Sequence, residues 1–277
     1  MPELPEVERF RAVTRRAGVG HRVVEVVACD DPLVFDGCDA NTLSAAILDK
    51  TLHGVARHGK YLWWVIRGGP CVLFHFGMTG RLSSDREAPL ALKTAPPSTS
   101  SPWPPARAVL RVRFSSGAEL ALSTTRRMSR VRLVEAPRTE APVNRLGPDV
   151  LDALPPVSEF RVRLASSRGA IKSALLDQGR LAGLGNWMAD EILFLAKVSP
   201  LRGARTLHDS EWGALRSAVA EVVQIAVDAG AESEQFPPQW LFHQRWDAAR
   251  DPDALRQGLS FTTVAGRATV FDPRRQR

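Results

Sequence analysis

The chain has 277 residues, of which 44% are hydrophobic and 24% charged, and its formal net charge is +7 at pH 7. This length allows two domains with separate cores, and the composition excludes a disordered or fibrous chain. The positive charge favours a polyanionic partner. No apolar run is as long as a membrane span, and the acidic N-terminus lacks the apolar stretch of a secretory signal. We therefore expect a cytoplasmic protein with no membrane partner.

The first part of the chain is predicted to form one helix followed by short strands. The helix covers residues 5–17, and the strands are expected at 21–29, 61–66, 71–76, 109–114, 119–122 and 131–134. One helix with many short strands favours a β-sandwich or barrel, to which we assign residues 1–135. Residues 83–107 contain six prolines among serines and alanines, which predicts a flexible loop.

The second part is predicted to be helical and then to return to strands. Helical periodicity occupies residues 157–165, 170–177, 187–196 and 209–228. We assign residues 136–235 to an all-α domain and residues 236–277 to a small terminal one. In the latter, a hairpin is expected from two short strands around a turn at Ala265–Gly266. The fold class is therefore α+β with several domains.

The N-terminus carries a candidate nucleophile. Removal of Met1 would leave Pro2 with a free α-amino group, whose reference pKa of about 7.7–8.0 lies well below that of lysine. A fraction of this amine is uncharged at neutral pH and can attack a sugar C1′ or an aldehyde to form an iminium. Glu3 and Glu6 lie within one helical turn and could transfer protons. The alternative is an ordinary helix start, with Pro5 and acids in the first turn.

Ordered blocks along the chain resemble one family. They are MPELPEVE at the N-terminus, RHGKYLWW, HFGMTGRL, LGPD, AIKSALLDQGRLAGLGNWMADEILFLAKVSP and, near the C-terminus, FTTVAGRATVFDP. Together they resemble the formamidopyrimidine-DNA glycosylase / endonuclease VIII family of bifunctional DNA repair glycosylases. The resemblance implies an N-terminal helix with a β-sandwich, followed by a helix–two-turn–helix domain that ends in a β-hairpin finger. It also implies a monomer that binds damaged double-stranded DNA in the bacterial nucleoid.

Two further residues take roles from this resemblance. The lysine that matches Lys60 lies beside the N-terminal amine in the family and contacts substrate phosphate, while the alternative is a surface lysine at a strand end. Met78 resembles an apolar wedge that fills the space left by an extruded nucleotide. Its alternative is a methionine that fills a gap in the core. His75, on the same strand, is expected to be structural.

The segment around residues 124–128 departs from the family pattern. Arg126 resembles the residue that reads the base left opposite the lesion, and Arg127 resembles its phosphate-binding neighbour. Thr124 and Thr125 replace an Asp-Pro turn, and Met128 replaces an aromatic wedge. The preference for the opposite base is therefore open, and a basic solvated strand end is the alternative.

The segment Gly183–Asn186 lies between two predicted helices. From the residues alone it is a flexible turn, with Asn186 as N-cap of a helix that begins at Trp187. Glycines also allow close backbone approach, and helix N-termini bind phosphate oxygens. With Lys172 upstream, the segment resembles the family's helix–two-turn–helix. The resemblance implies that Lys172 and Asn186 bind DNA.

The C-terminal region cannot form the zinc finger that is usual in the family. No cysteine follows Cys71, so zinc ligands are missing there and no cofactor is expected. The predicted hairpin resembles a zincless finger with Arg267 on its tip, while the alternative is a basic tail. Without a metal, apolar contacts must hold the finger, and these are expected from Trp240, Phe242, Trp246 and Phe261.

Two functions of different class follow. The first is a DNA glycosylase/AP lyase in which Pro2 attacks C1′, Glu3 donates a proton, and Lys60 and Arg267 assist β- and δ-elimination. The second is a non-catalytic binder of damaged DNA. The joint presence of Pro2, Glu3 and Lys60 speaks against it, because a binder needs none of them. A ribosome- or topoisomerase-associated protein is a weaker third, since it leaves the N-terminal octapeptide unexplained. Met128 and the short segment 231–240 favour oxidised pyrimidines, ring-opened or hydantoin lesions and abasic sites.

Overall fold

The computed structural model describes residues 2–91, 103–246 and 258–277. The chain forms two compact units, Met1–Arg145 and Leu146–Arg277. The first unit thus extends past residue 135, and Pro142 lies beside Tyr61 and Leu73 of that unit. Residues 236–277 belong to the second unit. The central part of the predicted flexible loop, residues 92–102, lies outside the described residues.

In its described residues, the first unit contains two α-helices and eight strands. The helices are α1 (Leu4–Gly18) and α2 (Ala40–Ile47). The strands are β1 (Val23–Ala28), β2 (Leu52–His58), β3 (Tyr61–Ile66), β4 (Cys71–His75), β5 (Arg81–Ser84), β6 (Ala108–Phe114), β7 (Glu119–Ser123) and β8 (Arg130–Val134). The predicted helix and all six predicted strands are found, each within two residues of its expected limits. The elements α2, β2 and β5 were not predicted.

The strands of the first unit form two antiparallel four-stranded sheets. Their orders are β1-β6-β7-β5 and β2-β3-β4-β8. Helix α1 contacts strands of both sheets, and the Phe10 ring lies 4.7 Å from that of Phe76. At its C-terminal end Gly18 permits close contact, because a Cβ there would lie 2.5 Å from Cζ of Phe114. The helix is therefore packed against the core at its middle and at its C-terminal end.

The second unit contains four α-helices and a hairpin in its described part. They are α3 (Val157–Ala165), α4 (Ile171–Leu176), α5 (Asn186–Leu195), α6 (Asp209–Asp228), β9 (Ser260–Val264) and β10 (Arg267–Phe271). Helix α5 begins at Asn186 with Gly185 as its N-cap, so the predicted cap by Asn186 is wrong. The side-chain amide of Asn186 instead donates to the Ala268 carbonyl at 2.8 Å.

The hairpin packs on helix α5 through a small apolar cluster. Its two-residue turn has positive φ at Ala265 and Gly266, as a type I′ hairpin turn requires. Phe194 of α5 packs with Leu241, Leu259 and Val270, and Phe261 borders this cluster. In the described ranges, no helix has the length and apolar character needed to cross a membrane.

Candidate active site

The N-terminus of α1 brings three of the predicted residues together. Pro2 is buried in extended backbone directly before the helix, and Glu3 is 2% exposed. The backbone N–H of Glu3 donates to Oε2 of Glu6 at 2.9 Å, and the Glu3 carbonyl accepts the Val7 N–H at 3.1 Å. These bonds complete the first helical turn and hold two carboxyl side chains in a dry environment beside residue 2.

The carboxyl group of Glu6 has an unusual proton affinity. Burial, with the nearby negative charge of Glu3 as a second cause, raises the pKa of Glu6 to about 7. Both protonation states are therefore populated near neutral pH. A carboxyl group with this pKa can donate or accept a proton at neutral pH, which an exposed glutamate does poorly.

Lys60 lies on the tight turn between β2 and β3. Gly59 has φ +56°, a conformation that glycine adopts readily, and Lys60 is 9% exposed. Burial, together with the positive charges of Lys60 and Arg130, lowers the pKa of His75 to about 4. His75 is thus neutral at physiological pH, and its ring lies 4.8 Å from that of Tyr61. Lys60 and Arg130 thus both place positive charge near His75.

An ion pair between a buried arginine and a partly buried glutamate, which sequence reasoning missed, links the helix to this turn. The Arg57 Nε donates to Glu8 of α1 at 3.0 Å, and its Nη1 donates to the Gly59 carbonyl at 3.0 Å. Burial raises the pKa of Glu8, but hydrogen bonds from Arg11 and Arg57 outweigh it and lower the pKa overall. Arg57 is 4% exposed. A charged residue within an apolar strand segment was the available signal for this link.

The loops that carry Met78 and Arg126 are joined to one another. The Arg126 N–H donates to the Thr79 hydroxyl at 3.3 Å, and Nη1 of Arg126 lies 3.7 Å from the Met78 sulfur. Gly77 has φ +57°, and a Cβ there would overlap the backbone of Met128. Arg126 and Met128 are exposed. The side chain predicted to fill the space of an extruded nucleotide and the side chain predicted to read the opposite base are therefore neighbours.

Arg127 is engaged within the protein. Its guanidinium donates to both oxygens of Asp31, at 2.7 and 2.9 Å, and this contact lowers the pKa of Asp31. Asp31 also accepts the backbone N–H of Leu33 and of Val34. Arg127 itself has φ +52°, so the backbone is strained at this position, and the ion pair with Asp31 holds it there. This arrangement favours a structural role for Arg127 over the predicted phosphate contact.

Lys172 is a buried residue of the second unit. Its side chain is 0% exposed, and Nζ lies 2.6 Å from Oδ1 of Asp190, 2.7 Å from the Thr269 hydroxyl and 3.2 Å from the Ala268 carbonyl. A direct phosphate contact needs an exposed ammonium, so this placement does not favour the predicted role. Lys172 instead connects α4, α5 and β10. The Ala268 carbonyl accepts from both Lys172 and Asn186, which are thus brought together beside Arg267.

Ion pairs and aromatic contacts hold the finger region. Asp190 also accepts from Arg245 at 2.7 Å, and Glu191 accepts the backbone N–H of Leu241 and of Phe242. Burial raises the pKa of Glu191 to about 7. The neighbouring aromatic cluster contains Trp187, Phe236, Trp240, Phe242 and Trp246.

Of the four side chains expected to hold the finger, Phe261 borders the cluster that packs the hairpin on α5, whereas Trp240, Phe242 and Trp246 lie in the aromatic cluster with Trp187 and Phe236. Support of the hairpin by these three residues stays a prediction. Arg267 is exposed at the first position of β10, next to the turn. In the described part of the chain, no group of three or more His, Cys, Asp or Glu side chains could hold a metal ion. The expectation that the finger binds no zinc stays a prediction.

Comparisons with known proteins identify the class of protein. The family model of the formamidopyrimidine-DNA glycosylase N-terminal domain matches residues 1–131, and that of the formamidopyrimidine-DNA glycosylase H2TH domain matches residues 146–237. Formamidopyrimidine-DNA glycosylase of Arabidopsis thaliana is 35% identical over 277 residues, which cover 100% of this chain and 71% of that protein. The enzyme of the same name from Desulfitobacterium hafniense is 31% identical over 285 residues, with 99% and 98% covered.

Solved structures give the same result. Lactococcus lactis formamidopyrimidine-DNA glycosylase, non-covalently bound to DNA that contains an AP site, matches with a TM-score of 0.79, 25% identity and 100% coverage of both chains. MutM in complex with DNA containing carbocyclic 8-oxo-G matches with a TM-score of 0.78 and 27% identity, again over both whole chains.

The protein is a DNA glycosylase of base excision repair. The chain belongs to the formamidopyrimidine-DNA glycosylase family, which confirms the resemblance drawn from its sequence blocks.

Replacing Arg57 with Met removes the buried partner of Glu8. We expect the free energy of unfolding to fall by about 2 kcal/mol, because the buried guanidinium loses its hydrogen bonds to the Glu8 carboxylate and to the Gly59 carbonyl together. Arg11→Met is the matched control, since it removes the other partner of Glu8 on the more exposed side, and should cost about 1 kcal/mol or less. Urea unfolding of the three proteins measures the difference. Equal losses in the two variants would contradict a special role for Arg57.

Replacing Glu6 with Gln removes a titrating group and keeps an oxygen for the Glu3 N–H. The pKa of Glu6 rises from 4.5 to about 7 on folding, so the protonated form favours the folded state. Its contribution is complete below pH 4.5 and is lost as the pH rises through 7. Over this range the wild type should lose about 3 kcal/mol relative to the variant.

Urea unfolding at a series of pH values measures this difference. Glu135→Gln, which removes an exposed carboxyl of the same unit, is the control. Parallel stability curves for the wild type and Glu6→Gln would show that Glu6 does not titrate in this way.

Replacing Lys172 with Met leaves Arg245 as the ion-pair partner of Asp190 and removes one of the two hydrogen-bond donors to the Ala268 carbonyl. We expect amide hydrogen exchange in β10 to accelerate by roughly 10- to 100-fold, because a lost hydrogen bond to a charged group costs about 1.5–3 kcal/mol. Arg161→Met, which breaks an exposed ion pair with Asp209 in the same unit, is the control. Unchanged exchange in β10 would show that Lys172 does not hold the finger.

Proposed function

We propose that this glycosylase removes oxidised bases from double-stranded DNA and then cleaves the strand through a Schiff base at Pro2. It acts as a monomer in this proposal. The single observation that carries it is the buried start of α1, where Glu3 and Glu6 flank residue 2 and the pKa of Glu6 is about 7. The reaction requires that Met1 be removed, so that the Pro2 nitrogen becomes a free secondary amine.

The first step exchanges one bond at C1′ for another. The Pro2 nitrogen bonds to C1′ as the bond between C1′ and the base breaks, and the departing base takes up a proton. Glu3 protonates the sugar oxygen, the sugar ring opens, and the C1′–N bond becomes an iminium. Glu6, with its raised pKa, is suited to return or remove protons between steps.

The second step breaks the strand. The iminium acidifies the C2′ protons, and loss of one of them expels the 3′ phosphate. A further elimination expels the 5′ phosphate, and water then hydrolyses the imine to restore Pro2. Lys60, in its positively charged environment, and the exposed Arg267 are proposed to bind the departing phosphates. Asn186, at the start of α5, is proposed to bind a phosphate that flanks the lesion.

Extrusion of the damaged base leaves a gap in the duplex. Met78 and Arg126, whose side chains lie 3.7 Å apart, are proposed to fill that gap, with Arg126 contacting the opposite base. Met128 is exposed in the same region and is available for the apolar contact that an aromatic residue makes in the family pattern.

The proposed lesions include ring-opened formamidopyrimidines and abasic sites. The names of the relatives from Arabidopsis thaliana and Desulfitobacterium hafniense support the first, and the solved Lactococcus lactis structure with AP-site DNA supports the second. The wider preference for oxidised pyrimidines and hydantoins stays a prediction, which depends on Met128 and on the short segment 231–240.

Borohydride trapping tests the proposal. The protein is incubated with two duplexes, one with a single abasic site and one with a single formamidopyrimidine, and the iminium is reduced. We expect a covalent adduct with each duplex, carried by the peptide that begins at Pro2. In Pro2→Gly the yield should fall at least about 100-fold, the scale on which a positioned catalytic group acts.

Pro5→Ala is the matched control, because Pro5 lies in the first turn of the same helix but carries no α-amine. It should form the adduct as the wild type does. An adduct on a lysine-containing peptide would contradict the role of Pro2. Tight binding of both duplexes by processed protein, with no adduct, would favour the non-catalytic binder.

A further inference from the structure

Four positively charged residues surround an open concavity in the second unit. Lys197, Arg274, Arg275 and Arg277 line a cavity of about 470 Å³, and all four are exposed. We call this surface the basic concavity. It contains no residue predicted to bind DNA, and the proposed reaction does not use it.

Backbone and side-chain bonds fix the shape of the basic concavity. The N–H of Arg277 donates to the Lys197 carbonyl at 3.2 Å, and the Ser199 N–H donates to the Arg277 carbonyl at 3.0 Å. The buried Gln276 donates to the Val198 carbonyl at 3.0 Å and accepts the Asp272 N–H at 2.8 Å. The residues after β10 are thus tied to the residues after α5, so the four charges are held together by the fold.

The positive charge of this surface is only partly neutralised. Arg274 donates to both oxygens of Asp272, at 3.0 and 2.9 Å. Within the described ranges, no carboxylate forms an ion pair with Lys197, Arg275 or Arg277. Arg275 lies 4.4 Å above the ring of Phe194, which orients its guanidinium without cancelling its charge. Lys197 also lies near the negative end of the α5 dipole, which stabilises a positive charge there. This effect accounts for the presence of Lys197 but not for that of the three arginines.

The basic concavity lies at the far end of the unit from the predicted phosphate contacts. Asn186 begins α5 and bonds to Ala268 near the start of β10, whereas Lys197 and Arg274 follow the ends of the same two elements. Phe194 and Val270, near those ends, pack together, so the helix and the strand run side by side in one direction. Ten helical residues and five strand residues each span on the order of 15 Å.

We propose that the basic concavity binds DNA phosphates outside the damaged site. Three of its four cations are arginines, whose planar guanidinium groups suit phosphate oxygens. The surface is separate from Asn186 and Arg267, so it increases affinity without contacting the lesion. The phosphates come from a distant arm of the same duplex or from a second duplex. The proposal rests on DNA being the substrate, as in the proposed function.

The variant Lys197→Gln/Arg275→Gln/Arg277→Gln tests this proposal, with Arg274 left in place beside Asp272. Fluorescence anisotropy measures the binding of a short duplex that just spans an abasic site, and of an undamaged duplex several times longer. The variant should bind the short duplex as the wild type does. It should bind the long duplex about tenfold more weakly, and its salt dependence should be shallower by about 2–3 in slope, as expected for three lost phosphate contacts.

Arg22→Gln/Arg67→Gln/Arg113→Gln is the control, since it removes three charges from exposed arginines of the first unit. Equal effects of the two triple variants on long DNA would overturn the proposal, because net charge alone would then explain the loss. A weaker short-duplex complex in the first variant would also overturn it, by placing the surface at the lesion. If the wild type itself does not bind the short duplex with the abasic site, the proposed function is rejected instead.

A capture assay separates the two sources of phosphate. An immobilised short duplex retains a second, labelled duplex through the wild type if the concavity binds separate DNA, and the first triple variant abolishes this retention. If no second duplex is retained and the long-duplex loss persists, the distant arm of the same duplex is the ligand. An acidic peptide is added as a competitor. If it displaces the long duplex from the wild type, and the first triple variant shows no change in the salt dependence of long-duplex binding, the concavity binds a protein partner and the proposal is overturned.

Discussion

The buried guanidinium of Arg57 is the interaction on which the first unit's site depends. It bonds to Glu8 on α1 and to the Gly59 carbonyl on the turn that carries Lys60. This bond adds a polar link between α1 and the turn to the apolar packing that already holds the helix on the sheets. Pro2, Glu3 and Glu6 lie at the start of the same helix. This ion pair therefore fixes the position of that helix start relative to Lys60 on the neighbouring turn.

In the second unit, one buried carboxylate shared by two cations holds neighbouring elements together. Asp190 is fully buried and binds both Lys172 and Arg245, while its neighbour Glu191 accepts two backbone N–H groups. Buried charges are costly unless they are paired, so such a cluster strongly specifies the positions of its partners. The elements held in this way are α4, β10 and the turn at 241–243, so the cluster fixes the hairpin strand β10 relative to the helices.

Much of the fold was predictable because its signals are local. The stripe of α6, the alternation in β6 and the Ala265–Gly266 turn follow from periodicity and turn chemistry, and their elements appear where expected. Strand β5 was missed because its sequence is RLSS, and its serines become buried only through pairing with β7. Helix α2 was missed because it is short, although Asp39 caps it through the Thr42 N–H.

The site was predictable only in part. Pro2, Glu3 and Lys60 are recognisable because their positions relative to sequence blocks are specific. The pairing of Arg127 with Asp31, and of Lys172 with Asp190, could not be foreseen. Residues 96 and 18 positions apart meet only after folding, and nothing in the local pattern of a basic residue says whether it faces solvent or a distant carboxylate.

Gly77 carries a consequence for how such a protein can change over time. Because its missing Cβ lets the Met128 backbone approach, the loop bearing Met78 and the loop bearing Arg126 form one interlocked piece. An alteration in either loop therefore displaces the other. A side chain larger than hydrogen at position 77 would push away the segment that carries Arg126, so a variant of one loop is expected to be tolerated only together with a compensating variant of the other.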